Sequence, residues 1–233
     1  MYRCECRADV CRLAGPETRW LSAGFDGGYT TGPAAYNATV PEGFDRTDLA
    51  DYAAERRAEA GFDDPGPTLL TGVAQAHAAG ARLGPVTVVA TAGVSNPAAL
   101  PMSPDGGDVD ARDGPPEPGT VNVLVGVERS LPDGALASLL ALVAETKATT
   151  LLDAVGVPGT TSDAAVVGGA VDAPRARFAG SATEVGGSAR ACVREAIRAS
   201  LDSRYADADR PESVAEAAYG VVADARAERF DPQ

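Results

Sequence analysis

Residues 85–94 read PVTVVATAGV and residues 120–128 read TVNVLVGVE, and these two nearly unbroken apolar runs constrain the fold more than any other feature. Their length and their valine and threonine content favour strands over helices, and a strand apolar on both faces needs cover on both sides. The cover is present in the sequence. A long helical pattern starts at Asp133 or Gly134 and runs to about Val155, where Gly156 and Pro158 stop it. A second long helix starts near Thr183 and carries Val185, Ala189, Cys192, Val193, Ala196, Ile197 and Leu201 on its inner side.

Around these stand further strands. LSAGFDGGY (21–29) breaks at Gly27-Gly28 and is followed by AAYNATV (34–40), a hairpin or loop-linked pair; TLLTGVAQA (68–76) and DAAVVGGAV (163–171) complete the set. Residues 48–61 have helical spacing closed by glycine, and residues 211–228 form an expected last helix with Pro211 in its first turn. The stretch 96–119 is too rich in Pro, Gly and Asp to pack, so 97–118 is expected to be a loop insertion. Strands in runs with helices grouped after them indicate an α+β fold. The expectation is a single layered domain over 1–233, a mixed sheet of about six strands packed against long helices.

The net charge of −13 excludes a nucleic-acid surface, which requires clustered Lys and Arg, and disfavours anionic membranes. The acidity is either a field that attracts a cationic ligand or a solubility device for molar salt, where repulsion is screened within a few ångströms, and abundant Asp with almost no Lys favours the second. No run approaches the apolar length of a membrane span and the N-terminus is too charged for a signal peptide, so a cytoplasmic location is expected. Cys4, Cys6 and Cys11 are spaced C-x-C-x4-C, without the paired C-x2-C of zinc sites and with no histidine nearby, so free thiols and no metal are expected.

One lysine stands against nineteen arginines. At about 100° per residue, Lys147 falls in the middle of the apolar stripe that Leu136, Leu140, Val143, Leu151 and Ala154 form on the helix 134–155. An ammonium there is costly unless a carboxylate from another segment meets it. It is either half of a structural ion pair or an active-site amine. His77 is the only histidine and has no nucleophile motif beside it. Polar groups also gather where apolar strands begin or end: Thr91, Ser95 and Asn96 in TAGVSN, Thr120 and Asn122 in GTVN, and Thr161 and Asp163 in PGTTSD. Together they suggest one site.

Taken in order, LSAGFDGG (21–28), Asn37 with Val40, LLTG (69–72), TAGVSN (91–96), GTVN (119–122), the block 132–153 containing ETKA, GTTSDAAVV (159–167) and FAGSATEVGGSARACV (178–193) resemble successive blocks of the adenosylcobinamide amidohydrolase family. The resemblance covers about residues 20–200 and leaves Cys4 to Cys11 outside. It implies hydrolysis of the amide that joins the aminopropanol arm to the corrin ring, giving adenosylcobyric acid for coenzyme B12 synthesis. A non-catalytic corrinoid binder and an amidohydrolase for another amide are the alternatives. The partner implied is the small corrinoid itself, whose cobalt belongs to the substrate; no cofactor is required, and a homo-oligomer stays open. Within the matched blocks, amide hydrolysis would draw on Lys147 as charge stabiliser or proton donor. Asp163, Glu184 or Glu145 would pair with it or activate water, and Thr120 or Thr161 would be a possible nucleophile. Thr91, Ser95, Asn96, Asn122, Asn37 and Thr161 would bind the substrate.

Overall fold

The two apolar runs become neighbouring strands in the middle of the main sheet. In the computed structural model, which describes residues 1–233 apart from 108–119, 212, 213, 215, 218 and 233, the chain forms β1 (Arg3–Arg7), β2 (Val10–Ser22), β3 (Gly28–Thr39), α1 (Leu49–Glu59), β4 (Thr68–Thr71), β5 (Ala79–Leu83), β6 (Val86–Ala92), β7 (Pro97–Ala99), β8 (Val121–Val127), α2 (Asp133–Val155), β9 (Gly159–Thr160), β10 (Ala164–Ala170), α3 (Glu184–Arg204) and β11 (Val221–Val222). The main sheet runs β4-β3-β2-β10-β8-β6-β5 with β1 added on β2, and a small sheet runs β11-β7-β9. β10 is parallel to β8 and β4 to β3, while the other main-sheet pairs are antiparallel, so the fold is α+β with a mixed sheet of eight strands.

The outer face of β6, β8 and β10 is covered by α2 and α3. Val86, Val88, Ala90, Val121, Val123, Val125 and Val167 pack there against Leu136, Leu139, Val143, Val193 and Ile197. Helix α2 is capped by Gly156 in the left-handed region (φ 75°), where a side chain would be strained. Against the expectation that no run approaches a membrane span, α2 is, among the described residues, the one helix long and apolar enough to cross a bilayer, but its apolar face is occupied by the sheet and α3.

The inner face is different. β3 and β4 curl over until they approach β8 and β10, enclosing Tyr2, Leu13, Trp20, Leu69, Leu124 and Val166. The curl has room for its few aromatics because glycines face them. A Cβ at Gly168 would lie 2.2 Å from the Trp20 ring, and one at Gly126 would lie 2.6 Å from the ring of Tyr2. The Trp20 indole donates to the Gly32 carbonyl at 2.9 Å, and Tyr2 shares a hydrogen bond of 2.7 Å with Thr18.

Several expectations change. The first hairpin is longer than 21–29 and 34–40, because β2 begins at Val10, where alternating charges mask a strand with one buried face. TLLTGVAQA ends as a strand at Thr71 and enters a 3-10 turn at Gln75–His77, and Ala79–Leu83 forms an edge strand. No helix forms among the described residues of 211–228; Val221–Val222 instead pairs with β7. In the loop insertion, Pro97–Ala99 is a strand, and 108–118 lie outside the described residues. Cys6 and Cys11 are not free thiols but a disulfide between directly opposed positions of β1 and β2.

Candidate active site

Lys147 finds its carboxylate in the segment that enters β10. Its ammonium donates to Asp163 Oδ2, and the two side chains are 17% and 11% exposed. The buried face of α2 is centred on Leu136, Leu139, Val143, Thr146 and Thr150, so Lys147 stands at the flank of the stripe, not its middle. The threonines fit the interior because each returns its hydroxyl to the carbonyl four residues back, Thr146 to Leu142 and Thr150 to Thr146, both at 2.7 Å.

Asp163 is fixed from several sides. Oδ1 accepts from the backbone N–H of Val121 at 2.9 Å and from the hydroxyl of Thr160; Oδ2 accepts from the N–H of Thr160 at 3.0 Å and from Lys147. The sequence Thr160-Thr161-Ser162-Asp163 thus closes a turn on its own carboxylate and ties that turn to the first residue of β8. Gly159 makes this possible. A Cβ there would lie 2.7 Å from Asp163 Oδ2 and 2.9 Å from Lys147 Nζ, so the ion pair rests on bare backbone.

Asp163 also forms part of the wall of a cleft of about 410 Å³, where the curled edge strand β4 passes over the starts of β8 and β10. Phe25, Val40, Phe44 and Leu49 make its apolar side, and Leu69 to Gly72 make one rim. On the polar side Thr120 and Ser162 share a hydrogen bond of 2.8 Å between their hydroxyls, next to Asp163. At the mouth, Arg46 is held by Asp48 and Glu55; the guanidinium in turn pulls the Asp48 carboxyl down to about 2.

Behind the cleft lies a layer of buried amides. Asn122 donates to Asn37 Oδ1 at 2.8 Å and to the Leu70 carbonyl at 2.9 Å, and Asn37 donates to Thr91 at 2.9 Å. This chain joins β8, β3, β6 and β4 across the inner face and holds the Leu70 rim in place.

The residues singled out in the sequence therefore fall into four groups. Asp163 and Thr120 line the cleft, and Lys147 is joined to it through its pairing with Asp163. Asn37, Asn122 and Thr91 form the layer behind it. Asn96 donates to the Thr161 hydroxyl at 2.6 Å and accepts from its N–H at 3.2 Å, beside the small sheet, and Ser95 is half-buried in the same segment. None of these three lines the cleft. Glu145 and Glu184, considered as partners for the lysine, are exposed and face arginines instead, Arg190 at 3.7 Å and Arg129 at 3.1 Å. His77 bonds Ser203 of α3 and takes no part in the cleft. Ser162 was missed. Its only signal was adjacency to Asp163, which carries weight once the turn is seen to face the cleft.

The geometry offers a fixed cation-carboxylate pair, two coupled hydroxyls and an apolar wall, a set suited to a polar bond carried on a large apolar body. Comparison with known proteins agrees. The profile of the adenosylcobinamide amidohydrolases matches residues 2–209, a span that also takes in β1 and its cysteines. A protein of Halobacterium salinarum named adenosylcobinamide amidohydrolase is 52% identical over 235 residues, covering 100% of both chains. By the extent of both matches, this chain belongs to the adenosylcobinamide amidohydrolase family.

Proposed function

We propose that the chain hydrolyses the amide between the corrin ring and the aminopropanol arm of adenosylcobinamide, releasing adenosylcobyric acid in corrinoid salvage. The observation that carries this reading is that Asp163, paired with Lys147, lines the wall of the cleft together with the hydrogen-bonded Thr120 and Ser162 hydroxyls. Hydrolysis of an amide builds negative charge on the carbonyl oxygen and needs a proton for the departing amine. In this reading the two hydroxyls meet the scissile amide. Lys147 supplies positive charge one layer behind them, and Asp163, its lone pairs already engaged by several donors, positions that charge. The apolar wall of Phe25, Val40, Phe44 and Leu49 takes the edge of the macrocycle, and about 410 Å³ holds the amide-bearing arm, not the whole corrinoid.

No resident cofactor is called for, since cobalt enters with the substrate. The reading places the enzyme in the cytoplasm, with the acidic surface serving a salt-rich interior. Incubation of the purified protein with adenosylcobinamide in molar KCl, followed by mass spectrometry, tests it. Adenosylcobyric acid and free aminopropanol are expected. Stoichiometric binding with unchanged ligand would replace the enzyme by a corrinoid carrier, and cleavage of simple amides in preference to the corrinoid would replace the substrate.

A further inference from the structure

None of the cysteines of the β1–β2 hairpin lines the cleft, and the proposed hydrolysis leaves them without a role. Their spacing in sequence is unlike a zinc motif, yet the hairpin register gathers them. Cys6 lies directly opposite Cys11, and Cys4 is two residues before Cys6, on the same face of β1. The three sulfurs all lie within 4.8 Å of one another. Cys6 and Cys11 are joined, while Cys4 is a free, exposed thiol beside their bond. The scaffold is well defined. An unbroken ladder runs from Arg3↔Ala14 to Arg7↔Val10, closed by a turn in which Ala8 and Asp9 both have positive φ (43° and 58°).

A structural disulfide needs two cysteines, and this face holds three. We propose that the hairpin is a redox-gated site for one thiophilic d10 cation, Zn²⁺ or Cu⁺. A dithiol reductant delivers two electrons and two protons to the Cys6–Cys11 bond and is itself oxidised to a disulfide, leaving three thiols. The cation then binds all three sulfurs as thiolates, and three protons pass to solvent. Three sulfur donors with no imidazole among them select a soft ion over Mg²⁺ or Ca²⁺. Cys4 and Cys6 are exposed and give the ion its entry, while Cys11 is buried beneath and gives the site a dry floor. Oxidation removes two of the three donors, so the disulfide form is the closed state.

Cd²⁺ is a suitable probe, because its thiolate complexes absorb in the ultraviolet by sulfur-to-metal charge transfer. The full-length protein, reduced and freed of reductant, is expected to develop that absorption to saturation at about one equivalent, and the oxidised protein to show none. Cys4→Ser, Cys6→Ser and Cys11→Ser should each weaken binding by roughly an order of magnitude or more, and Cys192→Ser should leave it unchanged. Cys4→Ser is decisive because that side chain is exposed, so the variant is expected to keep the parental circular dichroism spectrum. Absence of the absorption in the reduced protein, binding by Cys4→Ser as tight as the parent's, or equal binding by the oxidised form would each overturn the proposal. The readout is separate from corrinoid hydrolysis and stands or falls without it.

Discussion

The two halves of the sheet are built on different rules. The half backed by α2 and α3 is a layered aliphatic core, in which alternate residues of β6, β8 and β10 meet leucines and valines of two long helices. The curled half, β1 to β4, encloses Tyr2 and Trp20 seated against glycines, and a chain of buried amides crosses its inner face. The first half supplies rigidity through area removed from water. The second supplies shape, and its curl brings β4 over the starts of β8 and β10 to make the cleft. Lys147 and Asp163 stand where the halves meet, since the lysine comes from a helix of the first and the aspartate opens β10, the strand of that half that pairs with β2 of the second.

Substitutions that load one half and spare the other test this division. Leu136→Ala, at a fully buried position facing the sheet, should lower global stability by about 2 to 5 kcal/mol in chemical denaturation. KM for the corrinoid should stay at its parental value, because the cleft lies on the other face; a raised KM would mean the halves are mechanically coupled. Gly159→Ala acts at the junction. Its methyl group would meet Asp163 Oδ2 and Lys147 Nζ inside van der Waals contact, so a stability loss of about 1 to 3 kcal/mol together with most of the turnover is expected. Full activity in that variant would detach the ion pair from the chemistry. Asn122→Ala removes the donor shared by Asn37 and Leu70, and should cost about 1 to 3 kcal/mol while raising KM through the loosened rim. Unchanged KM would make the amide layer purely structural.

The smallest effect concerns Tyr2. Burial, with a lesser push from Glu128 and an opposing hydrogen bond from Thr18, raises its hydroxyl from 10.0 to about 12. An unfolded chain releases that proton near 10 while the fold holds it to about 12, so this contribution to stability is complete below pH 10 and is lost as pH rises through that window. Melting temperature should fall more steeply over that range in the parent than in Tyr2→Phe. Equal slopes would show that the curled half opens before the tyrosine titrates.

How much of this was legible in the sequence follows the same division. Val86–Ala92, Val121–Val127, α2 and α3 were readable because apolar runs and helical periodicity report directly on burial. In the curled half, β1 and the start of β2 were hidden by alternating charge, and the disulfide was hidden because a hairpin register is invisible until the turn at Ala8 and Asp9 is known. The helix expected over 211–228 rested on a proline and local propensity, which pairing of Val221–Val222 with β7 overrides. At the site, helical phasing demanded a carboxylate for Lys147 and the sequence offered three. Asp163 and not Glu145 or Glu184 meets it because only Asp163 lies in a turn closed on its own carboxylate beside α2, a matter of tertiary placement. Ser162 went unread for the same reason.

The most direct test of the central claim compares the hydrolysis of adenosylcobinamide by the parent protein and by Lys147→Met in molar KCl, with circular dichroism and melting confirming the fold of the variant. The Lys147–Asp163 pair as the charge centre of the site requires a folded variant whose kcat has fallen by about two orders of magnitude or more. A folded variant that forms adenosylcobyric acid at the parental rate would contradict it.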